Sequence, residues 1–272
     1  MAQVAKVEHT KLPREAYRAL EDVVGPEWIT EDRMEVEAYS YEVSFDNYLY
    51  KLMRDPTPIP AAVILPETTE QVQAIVRICN RYKIPFAPMT NGQVNSAPRY
   101  PGTLIIYLSR MDKVLNVDTE NMTITVQPYV DYTRVQAAAM KYGLWNGGSP
   151  YSGALCKMAS HVMSAGIWFN DTKYGTLSRN IVSIRAVLPS GEIIETGSRS
   201  MVGAPDSFEY MPGPDLMGFL RTSGAAYGIV VEVTLKLWTW VGGPELPAEP
   251  EERPSIPTYS NPKADKVPSP KR

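Results

Sequence analysis

Apolar residues recur at two distinct periods along this chain, and each period predicts a type of element. Leu12, Tyr17, Leu20, Val23 and Val24 fall at helical spacing, predicting a helix over Leu12 to Val24 that stops at Pro26. A short helical turn is expected from Thr30. Ala62 to Leu65 reads as a strand, followed by a helix capped by Thr68 or Thr69 with Val72, Ile75, Val76 and Cys79 as its apolar face. Ile84 to Met89 returns as a strand, and a strand–helix–strand of this length predicts a parallel unit. Strands are also expected over Thr103 to Leu108, Val114 to Val117 and Met122 to Gln127, the last alternating with period two. Tyr132 to Tyr142 reads as a helix ended by Gly143. Ile181 to Glu195 predicts a hairpin turning at Pro189-Ser190-Gly191, Asp215 to Arg221 a short helix, and Gly228 to Trp238 one final strand. Strand runs with interposed helices fit a mixed α+β fold, not a doubly wound one.

Two stretches fit neither period. Residues 38 to 60 are rich in tyrosine and end in Pro56, Pro58 and Pro60, which suits an arm or a partner contact. From Gly242 onward proline, glutamate, serine and lysine dominate, predicting an extended tail. The expected division is therefore an arm over 1–60, a main domain over 61–240 with subdomains near 61–127 and 128–240, and the tail over 241–272. A net charge of −3 does not suggest a nucleic-acid partner. No apolar run approaches the roughly 18 residues of a membrane span, and the first residues lack the apolar core of a secretory leader. A cytoplasmic protein is the expectation. Two cysteines and two histidines spread along 272 residues do not suggest a protein-only metal centre.

Chemistry is suggested where the strand ending at Met89 empties into Thr90-Asn91-Gly92-Gln93-Val94-Asn95-Ser96. Successive N–H groups in a turn of small polar residues can form an anion-binding nest, and Gly92 permits positive φ. The same residues also suit an ordinary loop exit. A second region, Trp145 to Gly175, is dense in small residues: it reads either as a wall approached closely by a ligand or as a helix packed tightly on a sheet. His161 can carry a proton near neutral pH or be a packed imidazole. Trp145, Trp168, Phe169 and Tyr174 can stack on a planar ligand or fill a core.

These segments, taken in order with Tyr174-Gly175, Val187-Leu188-Pro189-Ser190-Gly191-Glu192 and Thr222-Ser223-Gly224-Ala225-Ala226-Tyr227-Gly228-Ile229-Val230, resemble the FAD-binding domain of the vanillyl-alcohol oxidase/p-cresol methylhydroxylase flavoproteins. The resemblance covers roughly residues 20 to 240. It implies the PCMH-type FAD-binding fold, with two α+β subdomains and FAD between them. By the same resemblance Thr90, Asn91, Gly92, Gln93, Val94, Asn95 and Ser96 wrap the pyrophosphate. Pro150, Ser160, His161, Ser164 and Gly166 supply a second wall, beside Tyr174 and Gly175, while Gly228 and Ile229 offer backbone groups. Neither Met89 nor Gln93 can form the histidyl–flavin bond of some relatives, so a non-covalent FAD is implied. Relatives continue into a second domain that completes the substrate site. The expectation is thus an FAD-binding subunit of an oxidoreductase complex, relaying electrons with another subunit in a hetero- or homo-oligomer; catalytic residues are not assigned. The loop has a single glycine, and Ala159-Ser160-His161 stands where relatives carry glycine and asparagine. These departures motivate one alternative, a cofactor-free assembly subunit of the same fold. Another is a stand-alone phenol or 2-hydroxy-acid dehydrogenase.

Overall fold

The computed structural model describes residues 9–39, 59–91, 100–147, 153–164, 171–197, 218, 220 and 227–240. Helix α1 (Arg14–Val24) runs to Gly25, whose φ of 93° ends it one residue before Pro26. Strand β1 (Ile29–Thr30) and helix α2 (Arg33–Ala38) follow, and the Asp32 carboxylate caps α2 by accepting from the Met34 and Glu35 amides. Strand β2 (Ala62–Ile64) leads into helix α3 (Thr69–Tyr82). The Thr68 hydroxyl accepts from the Gln71 amide at 3.2 Å, and the Gln71 side chain accepts from the Glu67 amide at 2.7 Å. This is a capping box with its return bond shifted back by one residue. The helix ends as Lys83 takes a left-handed conformation (φ 55°), after which β3 (Phe86–Met89) begins.

The first lobe is a sheet in the order β1-β2-β4-β3, where β4 is Leu104–Tyr107. Strands β2 and β3 both run parallel to β4, so the expected parallel unit forms with β4 inserted between its two strands. The two-residue period of a strand sorts its side chains. Ala62, Ile64, Leu104 and Ile106 face α1 and α3, packing on Leu20, Val72, Ile75, Val76 and Cys79. Val63 and Ile105 face the other way, onto Val36, Ile59 and Met89. Each such fully buried side chain contributes about 1.5–3 kcal/mol relative to exposure.

The second lobe is an antiparallel sheet ordered β5-β6-β10-β8-β9, from β5 (Val114–Asp118), β6 (Thr123–Val126), β8 (Ile181–Val187), β9 (Ile193–Gly197) and β10 (Ile229–Lys236). Helices α4 (Tyr132–Met140) and α5 (Met158–Ser164) cover one face through Tyr132, Val135, Met158 and Val162. Helix α4 ends at Met140, and Gly143 (φ 68°) instead turns the chain into β7 (Leu144–Trp145). The last strand is not one piece as the sequence led us to expect. Its partner β6 begins at Thr123, opposite Lys236, and Met122 (φ 51°) already belongs to the hairpin turn. The Leu237 amide still donates to the Met122 carbonyl at 2.6 Å, but the ladder with β6 stops there, and β11 (Trp238–Thr239) leaves to pair with β7.

The lobes meet along α3. The Gln73 amide donates to the Gly191 carbonyl and the Asn80 amide to the Pro189 carbonyl, both at 2.7 Å, so the β8–β9 turn sits on the helix. Val187, Ile229 and Val231 of the second sheet join the first lobe's core. The aromatic arm over 40–58, the tail over 241–272 and most of the expected helix at 215–221 lie outside the described residues.

Candidate cofactor site

In a parallel sheet, ligands bind outside the carboxyl ends of the strands. Here those ends are Ile64, Tyr107 and Met89, and the chain leaves β3 directly into Thr90 and Asn91. Thr90 is 8% exposed, and its hydroxyl lies 2.5 Å from the hydroxyl of Ser160 on α5. The Asn91 side-chain amide donates to the Leu155 carbonyl. The first two residues of the loop are therefore tied to the second lobe by their side chains.

The receiving segment is itself held in place. The Met158 amide donates to the Val130 carbonyl at 2.9 Å, the Ala159 amide to the Pro128 carbonyl at 3.1 Å, and Lys157 bridges to Asp131 in the backbone. These bonds occupy the first two amides of α5. Tyr129, beside it, shares a hydrogen bond with Tyr107 between hydroxyls 2.8 Å apart, and Tyr107 meets Tyr39 edge-on at 5.1 Å. Burial, then the bond to Tyr129, hold the Tyr107 phenol well above its ordinary pKa, so it stays a neutral hydrogen-bonding group. The Lys157 ammonium lies 3.2 Å from the Asp131 carboxylate and 4.7 Å above the Tyr129 ring.

Of the residues singled out in the sequence, the structure brings Thr90, Asn91 and Ser160 together by direct hydrogen bonds or their immediate chain neighbours. His161 and Ser164 belong to α5, though their side chains are not described. Gly92, Gln93, Val94, Asn95, Ser96, Pro150 and Gly166 lie outside the described residues, as do Trp168 and Phe169. Tyr174 closes helix α6 (Asp171–Tyr174) and packs against Trp145 and Trp238, each with ring centroids 5.1 Å away, while Trp240 adjoins Trp145. These rings meet one another edge-on or tilted, at interplanar angles of 89°, 74° and 59°. Gly175 follows with φ 75°. Packing is close at Gly228, where a Cβ would stand 3.2 Å from the Val187 carbonyl oxygen. Ile229 puts its side chain into the core, which leaves only its main chain for a ligand. Sequence reading missed Tyr107, Tyr129, Asp131 and Lys157, because no spacing announces a pair of tyrosines that meets only in the fold.

A family model described as an FAD binding domain matches residues 60–197. The chain belongs to this FAD-binding domain family. Its cofactor is FAD, and its fold is the mixed α+β, PCMH-type one. Across 228 residues it is 28% identical to the glycolate oxidase subunit GlcD of Bacillus subtilis, covering 83% of this chain and 45% of that protein. It is 27% identical to the mitochondrial D-lactate dehydrogenase [cytochrome] of Arabidopsis thaliana, covering 86% of this chain and 39% of that one. Substrate-bound p-cresol methylhydroxylase superposes with a TM-score of 0.71 at 22% identity, over 83% of this chain and 43% of that chain. This FAD-binding domain thus spans less than half the length of the relatives it matches. Among its described residues no helix is long and apolar enough to cross a membrane.

The residues present fit the cofactor. The Asn91 Oδ1 is buried, with no hydrogen-bond partner among the described residues. Buried acceptors are costly when unmatched, and FAD carries hydroxyl donors along its ribityl and ribose groups. Thr90, Asn91 and Ser160 are the residues that would hold it, with Lys157 the nearby cation.

Proposed function

We propose that this chain is the FAD-holding part of an oxidoreductase acting on a small 2-hydroxy acid, with its substrate site completed by another subunit. The observation that carries the reading is the Thr90–Ser160 and Asn91–Leu155 junction at the carboxyl edge of the parallel strands, with its unmatched Asn91 acceptor. When bound, FAD supplies the electron acceptor; the protein positions it and excludes water. The substrate class is supported by the curated relatives, whose names specify D-lactate and glycolate.

The flavin is held without a covalent bond. Met89 faces the core, and the Cys156 thiol is packed beside Met158 and Ala159. Both cysteines are buried thiols outside any disulfide, which suits a reducing compartment such as the cytoplasm.

The test is purification from the native source, followed by spectroscopy and acid precipitation. Flavin absorbance that moves wholly to the supernatant supports a non-covalent cofactor. D-lactate or glycolate should reduce a dye acceptor only when co-purifying subunits are present. A colourless chain that takes up no added FAD removes the reading in favour of an assembly subunit. Full turnover by the isolated chain favours a stand-alone dehydrogenase.

A further inference from the structure

We propose that Lys157 is the residue that supplies positive charge to the FAD diphosphate, drawn from its bridge to Asp131 when the cofactor binds. The inference rests on the reading that the loop leaving β3 receives that diphosphate. Lys157 stands between Leu155, whose carbonyl takes the Asn91 side chain, and Ser160, whose hydroxyl takes Thr90. It is therefore fixed at the base of that loop. Its side chain is 14% exposed, as is that of Asp131.

An ammonium so enclosed should have its donors filled. Among the described residues two acceptors are present, Asp131 Oδ2 at 3.2 Å and the Ala154 carbonyl at 3.4 Å, while the Tyr129 ring face lies below. Lys carries three N–H donors; two meet these acceptors, and the third has only the ring face beside it, a weaker partner that an anionic oxygen can replace. The Asp131 carboxylate is also a divided counter-charge. Its other oxygen accepts from the Arg134 amide at 2.9 Å and caps α4, where the positive end of the helix already offsets part of its charge.

Neighbouring cations are committed elsewhere: Arg110 and Lys113 to Glu67, and Arg134 to Asp112. Within the described site, Lys157 is the cation whose position, enclosure and third donor fit a diphosphate.

The proposal predicts opposite effects for the two members of the bridge. Dissociation constants for FAD, read by quenching of flavin fluorescence on the full chain, are measured from 50 to 300 mM NaCl. Lys157→Met should weaken FAD binding roughly 10- to 100-fold, the range of a lost charge-assisted hydrogen bond, and flatten its salt dependence. Lys157→Arg should recover most of the affinity. Asp131→Asn keeps a capping side chain but frees the ammonium, and should tighten FAD binding several-fold. ADP, which has the diphosphate without the flavin, should compete with FAD less well in Lys157→Met than in the natural chain. A merely structural bridge would give weaker binding in both Lys157→Met and Asp131→Asn with unchanged salt dependence, and that result overturns the proposal. Failure of the natural chain to bind FAD would instead remove the loop reading, and the role of Lys157 with it.

Discussion

The hydroxyl pair Thr90–Ser160 offers the sharpest test of how the site is built. The two residues are 70 positions apart and belong to different lobes, so nothing local imposes their 2.5 Å approach. A neutral hydrogen bond contributes about 1 kcal/mol net, but a hydroxyl left buried alone costs about 1–3 kcal/mol. Thr90 is nearly buried, so Ser160→Ala strands its hydroxyl and should lose about 1–2 kcal/mol of folding stability. Thr90→Val preserves the branched shape and should lose a similar amount through Ser160. The double variant should lose less than the sum, with a coupling energy of about 0.5–1.5 kcal/mol. Urea unfolding of the four flavin-free proteins measures this, with the slope m unchanged if the lobes keep their compactness. Because the bond joins the two walls of the cleft, the same four proteins should differ in FAD affinity by up to about 5-fold, the equivalent of roughly 1 kcal/mol. Single effects that add within about 0.3 kcal/mol, together with unaltered FAD affinity, would show that the hydroxyls do not join the lobes.

Two further outcomes are expected. Gly197 has φ 79° at the end of β9, and a Cβ there would run into the Val182 carbonyl of the neighbouring strand, so Gly197→Ala should cost about 2–4 kcal/mol, visible as a lowered midpoint in thermal circular dichroism. Tyr107, Tyr39 and Tyr17 are all held above the ordinary phenol value of 10.0, chiefly by burial. The folded chain therefore keeps protons that the unfolded chain releases, so this contribution is intact below pH 10 and is lost as pH rises beyond it. Urea midpoints should begin to fall near pH 9, where the unfolded chain ionises Cys79, whose thiol burial pushes up from 9.0 to about 12 in the fold, and fall more steeply between pH 10 and 11. The steeper part should be shallower in Tyr107→Phe; an equal fall in that variant would exclude Tyr107 as a contributor.

What the sequence revealed depended on how locally each feature is determined. Helix α3 carries its own cap at Thr68 and its own apolar face, and both are visible within the single stretch from Thr68 to Tyr82. Strands β8 and β10 are buried on nearly every position, and their apolar runs show it. The break at Leu237 was hidden because it is decided by where β6 ends, more than 100 residues away. The site divides in the same manner. Thr90 and Asn91 stand out as a change from apolar strand to polar loop. Ser160 was recognised only as one member of a spaced series. Lys157 was overlooked, since a lone lysine among small residues reads as a solvated surface charge until Asp131 and Tyr129 are seen to enclose it.

The two connections between the lobes are chemically different, and the difference explains why the site lies where it does. At the back, Val187, Ile229 and Val231 share a core with α1 and α3, and two side-chain amides hold the β8–β9 turn. Apolar burial of that kind is non-directional and independent of any ligand. At the front, the described links are polar and directional: Thr90 to Ser160, Asn91 to Leu155, and Tyr107 to Tyr129. Such bonds are individually modest and exchangeable with a ligand's own donors and acceptors. A cofactor entering at the carboxyl edge can therefore compete for the front links without threatening the fold, which the back connection sustains.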